Sequence, residues 1–260
     1  MENCGEYTVR GSVKKYKIVC KDVDAYLLGY LSCDGGYITN NGYPFMMVSS
    51  TEEYIISWIK REYLPDSRII PVGLKSSNLV KATNNVFEIR WAGKASEQFN
   101  RFGIFCKKPS RRIVNIPNRV MPQYIAGCID ADGFITVSHR KDCRSPRIRF
   151  FITHAGEMFL TDLQNKLELL GVSTTLRQHG SHVWRLQAQN TTQNIQFLKT
   201  IVPFLKNKKK LNIVNNYLKY FVPQESGELL ETLTGNQQPS LQSKKVQRLP
   251  EHSGMLNNRK

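Results

Sequence analysis

The chain has 260 residues and a formal net charge of +16, set by 37 Lys and Arg against 21 Asp and Glu. Hydrophobic residues make up 40% and aromatics 10%, which excludes a disordered chain and allows one or two domains with a real core. Residues 224–260 hold five basic and four acidic side chains, a net of +1, so the excess lies on the preceding body and points to a polyanion, nucleic acid before membrane.

In chain order, residues 1–21 read as a lead segment. Residues 27–38, LLGYLSCDGGYI, read as an apolar helix with small residues, ending in Asp34 and a helix-stopping Gly35. Tyr37–Asn41 and Pro44–Ser49 read as a hairpin with Asn-Gly at its turn. Thr51–Tyr63 is amphipathic, with Tyr54, Ile55, Trp58 and Ile59 on one face and Ser50 or Thr51 as N-cap. Arg68–Lys75 and Asn85–Trp91 read as strands, and Ala95–Phe105 as a closing helix. Residues 107–121, with Lys107, Lys108, Arg111 and Arg112 among prolines, read as a basic linker.

Residues 125–135, IAGCIDADGFI, then repeat the opening helix. Asp132 falls over Asp34, Gly133 over Gly35 and Gly127 over Gly29, at an offset of 98 residues. The same order of elements follows. Phe134–Arg140 and Arg147–Thr153 read as strands and Gly156–Leu170 as a helix ended by Gly171. Thr174–His179 and Val183–Gln189 form another strand pair, and Thr192–Leu205 and Lys209–Phe221 read as helices. Beyond Pro223 the chain is Gln-, Ser- and Asn-rich without an aromatic residue, a composition that predicts disorder. The expected fold is α+β, two pseudo-symmetric αββαββα halves (22–106 and 122–222) with antiparallel sheets, joined by the linker and followed by the tail 223–260.

Two such helices would pack through Gly29 and Gly127, where small residues permit close approach. That pairing brings Asp34 and Asp132 together at helix C-termini, where the dipole disfavours anions. Two carboxylates so placed repel unless a cation lies between them, and a divalent metal ion answers both problems.

The duplicated segments resemble the signature of the LAGLIDADG homing endonucleases in their single-chain, two-motif form. Residues 125–133 match the nine-residue pattern closely, and residues 27–35 depart from it at Ser32, where the family often has an acid. The resemblance spans roughly residues 22–222. It implies a site-specific double-strand DNA endonuclease with Mg²⁺ held by Asp34 and Asp132, aided by the carbonyls of Cys33 and Ala131. It implies a lysine near the attacking water, matched here by Lys208 with Lys206 second, and by Lys107 or Lys108 in the first half. His154 aligns with a polar residue that orients water in relatives, with Ser50 as a loose match. The implied partner is duplex DNA with a long, asymmetric target, bound by a monomer. Intron RNA, in a maturase role, and DNA binding without cleavage are the alternatives.

Period-2 alternation sorts each strand into two faces. In the second half the polar face carries Thr136, Ser138, Arg140, Arg147, Arg149, Thr153, Thr175, Arg177, His179, Arg185, Gln187 and Gln189, almost without acid. Arg reads guanine and Gln reads adenine in the major groove. The first half offers Lys75, Lys81, Glu88 and Arg90. In the family the two sheets form a saddle over the duplex. Six cysteines (Cys4, Cys20, Cys33, Cys106, Cys128, Cys143) lack any metal spacing and suit a reducing, intracellular setting, cytosolic or organellar. No apolar run is long enough to span a bilayer.

Overall fold

Ten residues after Asp24 are almost wholly apolar or small, and they form helix α1, Ala25–Asp34, whose start is fixed by the Asp24 carboxylate accepting from the Tyr26 amide at 2.8 Å. The computed structural model describes residues 24–40, 43–72, 85–92, 104, 107–113, 116–139 and 146–221. All of these belong to the unit Met1–Pro223. Lys75, Lys81, Arg140, the lead segment, the tail and all but Ile104 of the expected closing helix lie outside the described residues.

After α1 come β1 (Gly35–Asn40), β2 (Tyr43–Ser50), α2 (Glu53–Tyr63), β3 (Ile69–Val72) and β4 (Val86–Ala92), with strands in the order β1-β2-β4-β3. Every pairing is antiparallel. Helix α2 buries Ile55, Ile56 and Ile59 and leaves Tyr54 and Trp58 half-buried at its flank. Its N-cap position is Glu52, whose amide donates to Ser50 Oγ at 3.1 Å.

Two short 3₁₀ turns, Lys108–Ser110 and Asn118–Val120, lead into α3, Met121–Asp132. The second half continues with β5 (Gly133–Ser138), β6 (Arg147–His154), α4 (Glu157–Leu169), β7 (Thr174–Gln178), β8 (Trp184–Ala188), α5 (Thr191–Ile201), a 3₁₀ turn at Val202–Phe204, and α6 (Lys208–Phe221). Its strand order, β5-β6-β8-β7, repeats that of the first sheet, again antiparallel throughout. In β6 the buried side chains are Ile148, Phe150, Ile152 and His154, while those between face outward. The helices thus cover one face of the sheet, and the Arg-rich face stays open.

The two halves meet through α1 and α3, both buried almost all round. A Cβ on Gly29 would stand 1.9 Å from the Tyr124 carbonyl oxygen, and one on Gly127 would stand 2.0 Å from that of Tyr26. Main chain therefore touches main chain reciprocally across the crossing. Tyr26 Oη donates to Asp130 at 2.9 Å and Tyr124 Oη donates to Ser32 Oγ at 2.8 Å, each tyrosine reaching into the opposite helix.

The glycines after the motif acids end their helices without a left-handed turn. Gly35 has φ −65° and Gly133 has φ −92°, both open to any residue. What they supply is space. A Cβ would lie 2.4 Å from the Leu31 carbonyl oxygen at Gly35 and 2.5 Å from Ile129 Cα at Gly133. Among the described residues, only Gly171, at φ +76°, ends a helix by the left-handed route.

Candidate active site and nucleic-acid interface

Because α1 and α3 cross at their glycines, their C-termini deliver Asp34 and Asp132 to one place. Lys108 Nζ, from the 3₁₀ turn of the linker, stands 4.0 Å from Asp34 Oδ1 and 4.0 Å from Asp132 Oδ2. Burial first, and the Asp132 carboxylate within hydrogen-bond reach second, push Asp34 up to about 7. The Lys108 and Lys210 ammonium groups pull against that rise. Asp34 is thus short of positive charge even with two lysines acting on it.

Each helix C-terminus is capped by a cation delivered from later in the chain, Arg111 from the linker and Lys210 from the last helix of the second half. Arg111, only 3% exposed, donates to the carbonyls of Leu31 (3.3 Å), Ser32 (2.6 Å) and Gly35 (2.7 Å). Lys210 donates from Nζ to the carbonyls of Ile129 (2.6 Å) and Asp130 (2.9 Å). Relative to the motif acids these are the same two carbonyls, three and two residues back. Burial lowers the Lys210 pKa, and the carboxylates of Asp130, Asp34 and Asp132 oppose the fall.

Asp130 occupies the position that Ser32 holds in the first motif. Its Oδ2 accepts from Tyr26 Oη (2.9 Å) and from the amides of Lys206 (2.6 Å) and Asn207 (2.9 Å). These bonds tie the segment that carries Lys210 to the motif helix. Oδ1 of the same carboxyl is buried without a partner. Burial raises the Asp130 pKa, and the two amides oppose the rise.

A cavity of about 330 Å³ opens beside Asp34, lined among others by Tyr30, Ser50, Asp130, Ala131, Asn207 and Lys210. At about 30 Å³ per water it has room for several. In the second half the corresponding loop meets the linker. There the linker turn packs on the loop after β6, and a Cβ on Gly156 would lie 2.7 Å from the Lys108 carbonyl oxygen and 3.1 Å from His154 Nδ1.

Several residues singled out from the sequence sit elsewhere than expected. Lys208 stands against α2: its amide donates to Tyr54 Oη at 2.8 Å and its ammonium lies 5.2 Å from the Tyr54 ring centroid. Lys206 rests over the rings of Trp58 and Tyr26, at 4.3 and 5.0 Å. Lys107 is exposed, and its neighbour Lys108 is the residue at the acids. His154 is 3% exposed and packs its ring 4.4 Å from that of Phe159. Its Nδ1 accepts from the Gly156 amide at 2.9 Å, while Nε2 faces the Ser32 backbone, whose carbonyl Arg111 also holds. Burial, with Arg111 and Lys108 nearby, lowers its pKa to about 4, so the ring is neutral and far from bulk water. Its loose match Ser50 lines the cavity instead. Cys33 is fully buried, and the Cys128 thiol it bonds with, together with burial, holds its own thiol well up and inert.

On the second sheet's open face, register sets the outward residues in rows: Ser138 opposite Arg147, Thr136 opposite Arg149, Thr153 opposite Arg185, and Arg185 opposite Arg177. Two arginines directly opposite repel unless an anion lies between them. Arg185 also bonds His179, and Gln189 Nε2 donates to Thr175 Oγ1 and to the Gln187 carbonyl. In the first sheet Glu88 departs from the outward reading: it is 4% exposed and its carboxylate is paired with Arg90 Nε. Alternation put both on one face correctly, but the acid is consumed by its neighbour. No helix among the described residues is long and apolar enough to cross a membrane.

No protein-family model and no curated protein matches the chain. Solved structures do. The LAGLIDADG meganuclease I-AabMI, crystallised bound to uncleaved DNA, aligns over 75% of this chain and 90% of its own, with 14% identity and a TM-score of 0.51. The meganuclease I-SmaMI, bound to uncleavable DNA, aligns over 75% and 87%, with 11% identity and a TM-score of 0.52. The fold, two antiparallel sheets paired through two central helices, is the LAGLIDADG fold, in line with the resemblance of the duplicated motif.

Proposed function

We propose that this chain is a site-specific, divalent-metal-dependent double-strand DNA endonuclease of the LAGLIDADG homing type, acting as a monomer on a long, asymmetric duplex. The observation that carries the reading is the meeting of Asp34 and Asp132 under Lys108, at the ends of two helices locked by glycine.

The residues fit a metal. Carboxylates are hard oxygen donors, and Mg²⁺ takes only one or two of them while keeping several waters. Among the described residues no group of three or more His, Cys, Asp or Glu is gathered for a metal, which suits that sparse coordination. Asp34 and Asp132 would hold the ion, beside the carbonyls of Cys33 and Ala131. When bound, such an ion lowers the pKa of a water and neutralises charge on the phosphoryl group.

The remaining work falls to the chain itself. Lys108, 4.0 Å from each acid, would offer its ammonium to the charge of a phosphate set over the site. Lys210 spends two of its three N–H donors on α3 and keeps one for the cavity beside Asp34, where water would be held for attack. The open rows of Arg and Gln on the second sheet supply phosphate and base contacts, and the first sheet supplies Arg90. Lys208 and Lys206 serve as packing and phosphate contacts in this reading.

The test is to recover a bound sequence from a randomised duplex pool and then compare the wild type with Asp34→Asn and Asp132→Asn in Mg²⁺. Each variant should bind that duplex and leave both strands uncut. Wild-type cleavage by either variant would overturn the site.

A further inference from the structure

One row on the second sheet's open face is unlike its neighbours. It runs Phe134, Phe151, Gln187, Thr175 across β5, β6, β8 and β7. Phe134 is 55% exposed. Its ring stacks on that of Phe151, with centroids 5.2 Å apart and planes at 15°, and the Arg185 guanidinium lies 4.7 Å from the centroid of Phe151. A pair of phenyl rings left partly open to water, among Thr136, Arg149 and Gln187, gives the sheet a cross-strand contact but keeps apolar surface in solvent on an otherwise polar, basic face. The arginines around it would draw a polyanion onto this face.

The row also has a definite place. Phe134 lies two residues beyond Asp132, about 7 Å along the strand at roughly 3.3 Å per residue. That is about two base pairs of duplex at ~3.4 Å each. The matching row of the first sheet is Gly36, Met47, Arg90. It carries no aromatic pair: Gly36 has no side chain, and Met47 packs over it, with Cγ 2.8 Å from where a Cβ would stand.

The major groove presents polar atoms from every base pair and one apolar group, the thymine C5-methyl. We infer that the Phe134–Phe151 stack is a specificity element for a thymine methyl in the base pairs nearest the cut, on the second sheet's side alone. Gln187, next in the row, and Arg185, fixed over Phe151, are placed to read the adjoining base edges. This inference rests on the DNA reading above and deepens it.

The experiment uses two randomised duplex pools, one with thymine and one with uracil in its place, and the full chain as wild type, Phe134→Ala and Phe151→Leu. The wild type should enrich thymine within about two pairs of the cut on one side, and lose about fourfold in affinity when uracil replaces it there, the worth of one buried methyl-sized group. Phe134→Ala should erase that difference and leave preferences at other positions unchanged. Phe134→Ala should stay folded, its urea midpoint falling only slightly with the lost stack, and Phe151→Leu, with the apolar bulk kept but the stack gone, should narrow the thymine–uracil difference as well. An unchanged thymine–uracil difference in Phe134→Ala, or none in the wild type, overturns this inference alone. A wild type that selects no sequence from either pool overturns the endonuclease reading as well.

Discussion

Gly127→Ala tests the helix crossing on which everything else depends. On helix propensity alone, Gly to Ala inside a helix stabilises by about 0.8–1.0 kcal/mol. Here the new methyl would start 2.0 Å from the Tyr26 carbonyl oxygen and 2.7 Å from the Tyr30 amide nitrogen, both main-chain atoms of α1. Neither can rotate away, so the helices must part by roughly an ångström, and overpacking of that kind costs about 1–3 kcal/mol or somewhat more. With main-chain contacts this short the upper part of that range applies, so the net expectation is a loss of up to about 2 kcal/mol, opposite in sign to propensity. Parting the helices also parts the acids, and a misplacement near 1 Å can lower a rate by about 10²-fold. Urea unfolding gives the first number, and single-turnover cleavage of the recovered duplex gives the second. Gly171→Ala is the contrast: nothing lies within 4 Å of its would-be Cβ, so it should lose only about 1 kcal/mol through its positive φ and cleave normally. A Gly127→Ala protein that is more stable than the wild type and cuts at the wild-type rate would refute the crossing as described.

Other outcomes follow from the same geometry. In metal-free buffer, the raised pKa of Asp34, about 7, means stability that is present at low pH and lost as pH rises through 7. The melting temperature should therefore climb from pH 8.5 to pH 6.5, and Asp34→Asn should flatten that climb. His154 works in the reverse direction: its pKa of about 4 means stability kept above 6.5 and lost as pH falls toward 4, so a melting profile of His154→Gln should lose its acid-side decline. Arg111→Ala strands the Ser32 and Gly35 carbonyls in a buried place, at about 1–3 kcal/mol each, and a urea midpoint within about 0.5 kcal/mol of wild type would contradict the cap. Deleting residues 224–260 removes a net +1 of the +16, so cleavage and the salt dependence of binding should both survive, and a lost salt slope would move the phosphate contacts to the tail.

The duplication and the fold were legible because the offset of 98 residues carries Gly29 to Gly127 and Asp34 to Asp132 together, and few arrangements satisfy both pairs. Which lysine reaches the acids was not legible. In the run 206–210 two positions differ by about 200° around a helix, so Lys208 turns to Tyr54 while Lys210 turns to α3. A signal was present nonetheless: Arg111 and Lys210 stand at nearly the offset that relates the motifs, and both are cations beyond a helix that ends in an unmet row of carbonyls. Asp130 was visible only as a mismatch with Ser32. Its role depends on amides brought from residues 206–207, which pattern alone does not locate. Glu88 shows the limit of alternation, which assigns a face but not whether a neighbour has already claimed the charge.

The contact at the centre of the molecule is written in backbone rather than side chains: a glycine on each helix against a carbonyl oxygen on the other. Such a joint is indifferent to what the sheets beyond it carry. It is also reciprocal, as in a dimer built on a twofold axis, although one chain supplies both partners. The sheets are thereby free to become unlike one another, as Gly36 and Met47 are unlike Phe134 and Phe151, while the joint stays the same. A half from another chain of this architecture should dock here if it brings its own glycine, its own tyrosine and an acceptor for the tyrosine it meets. That makes the crossing a universal coupling, and the open faces its interchangeable tools.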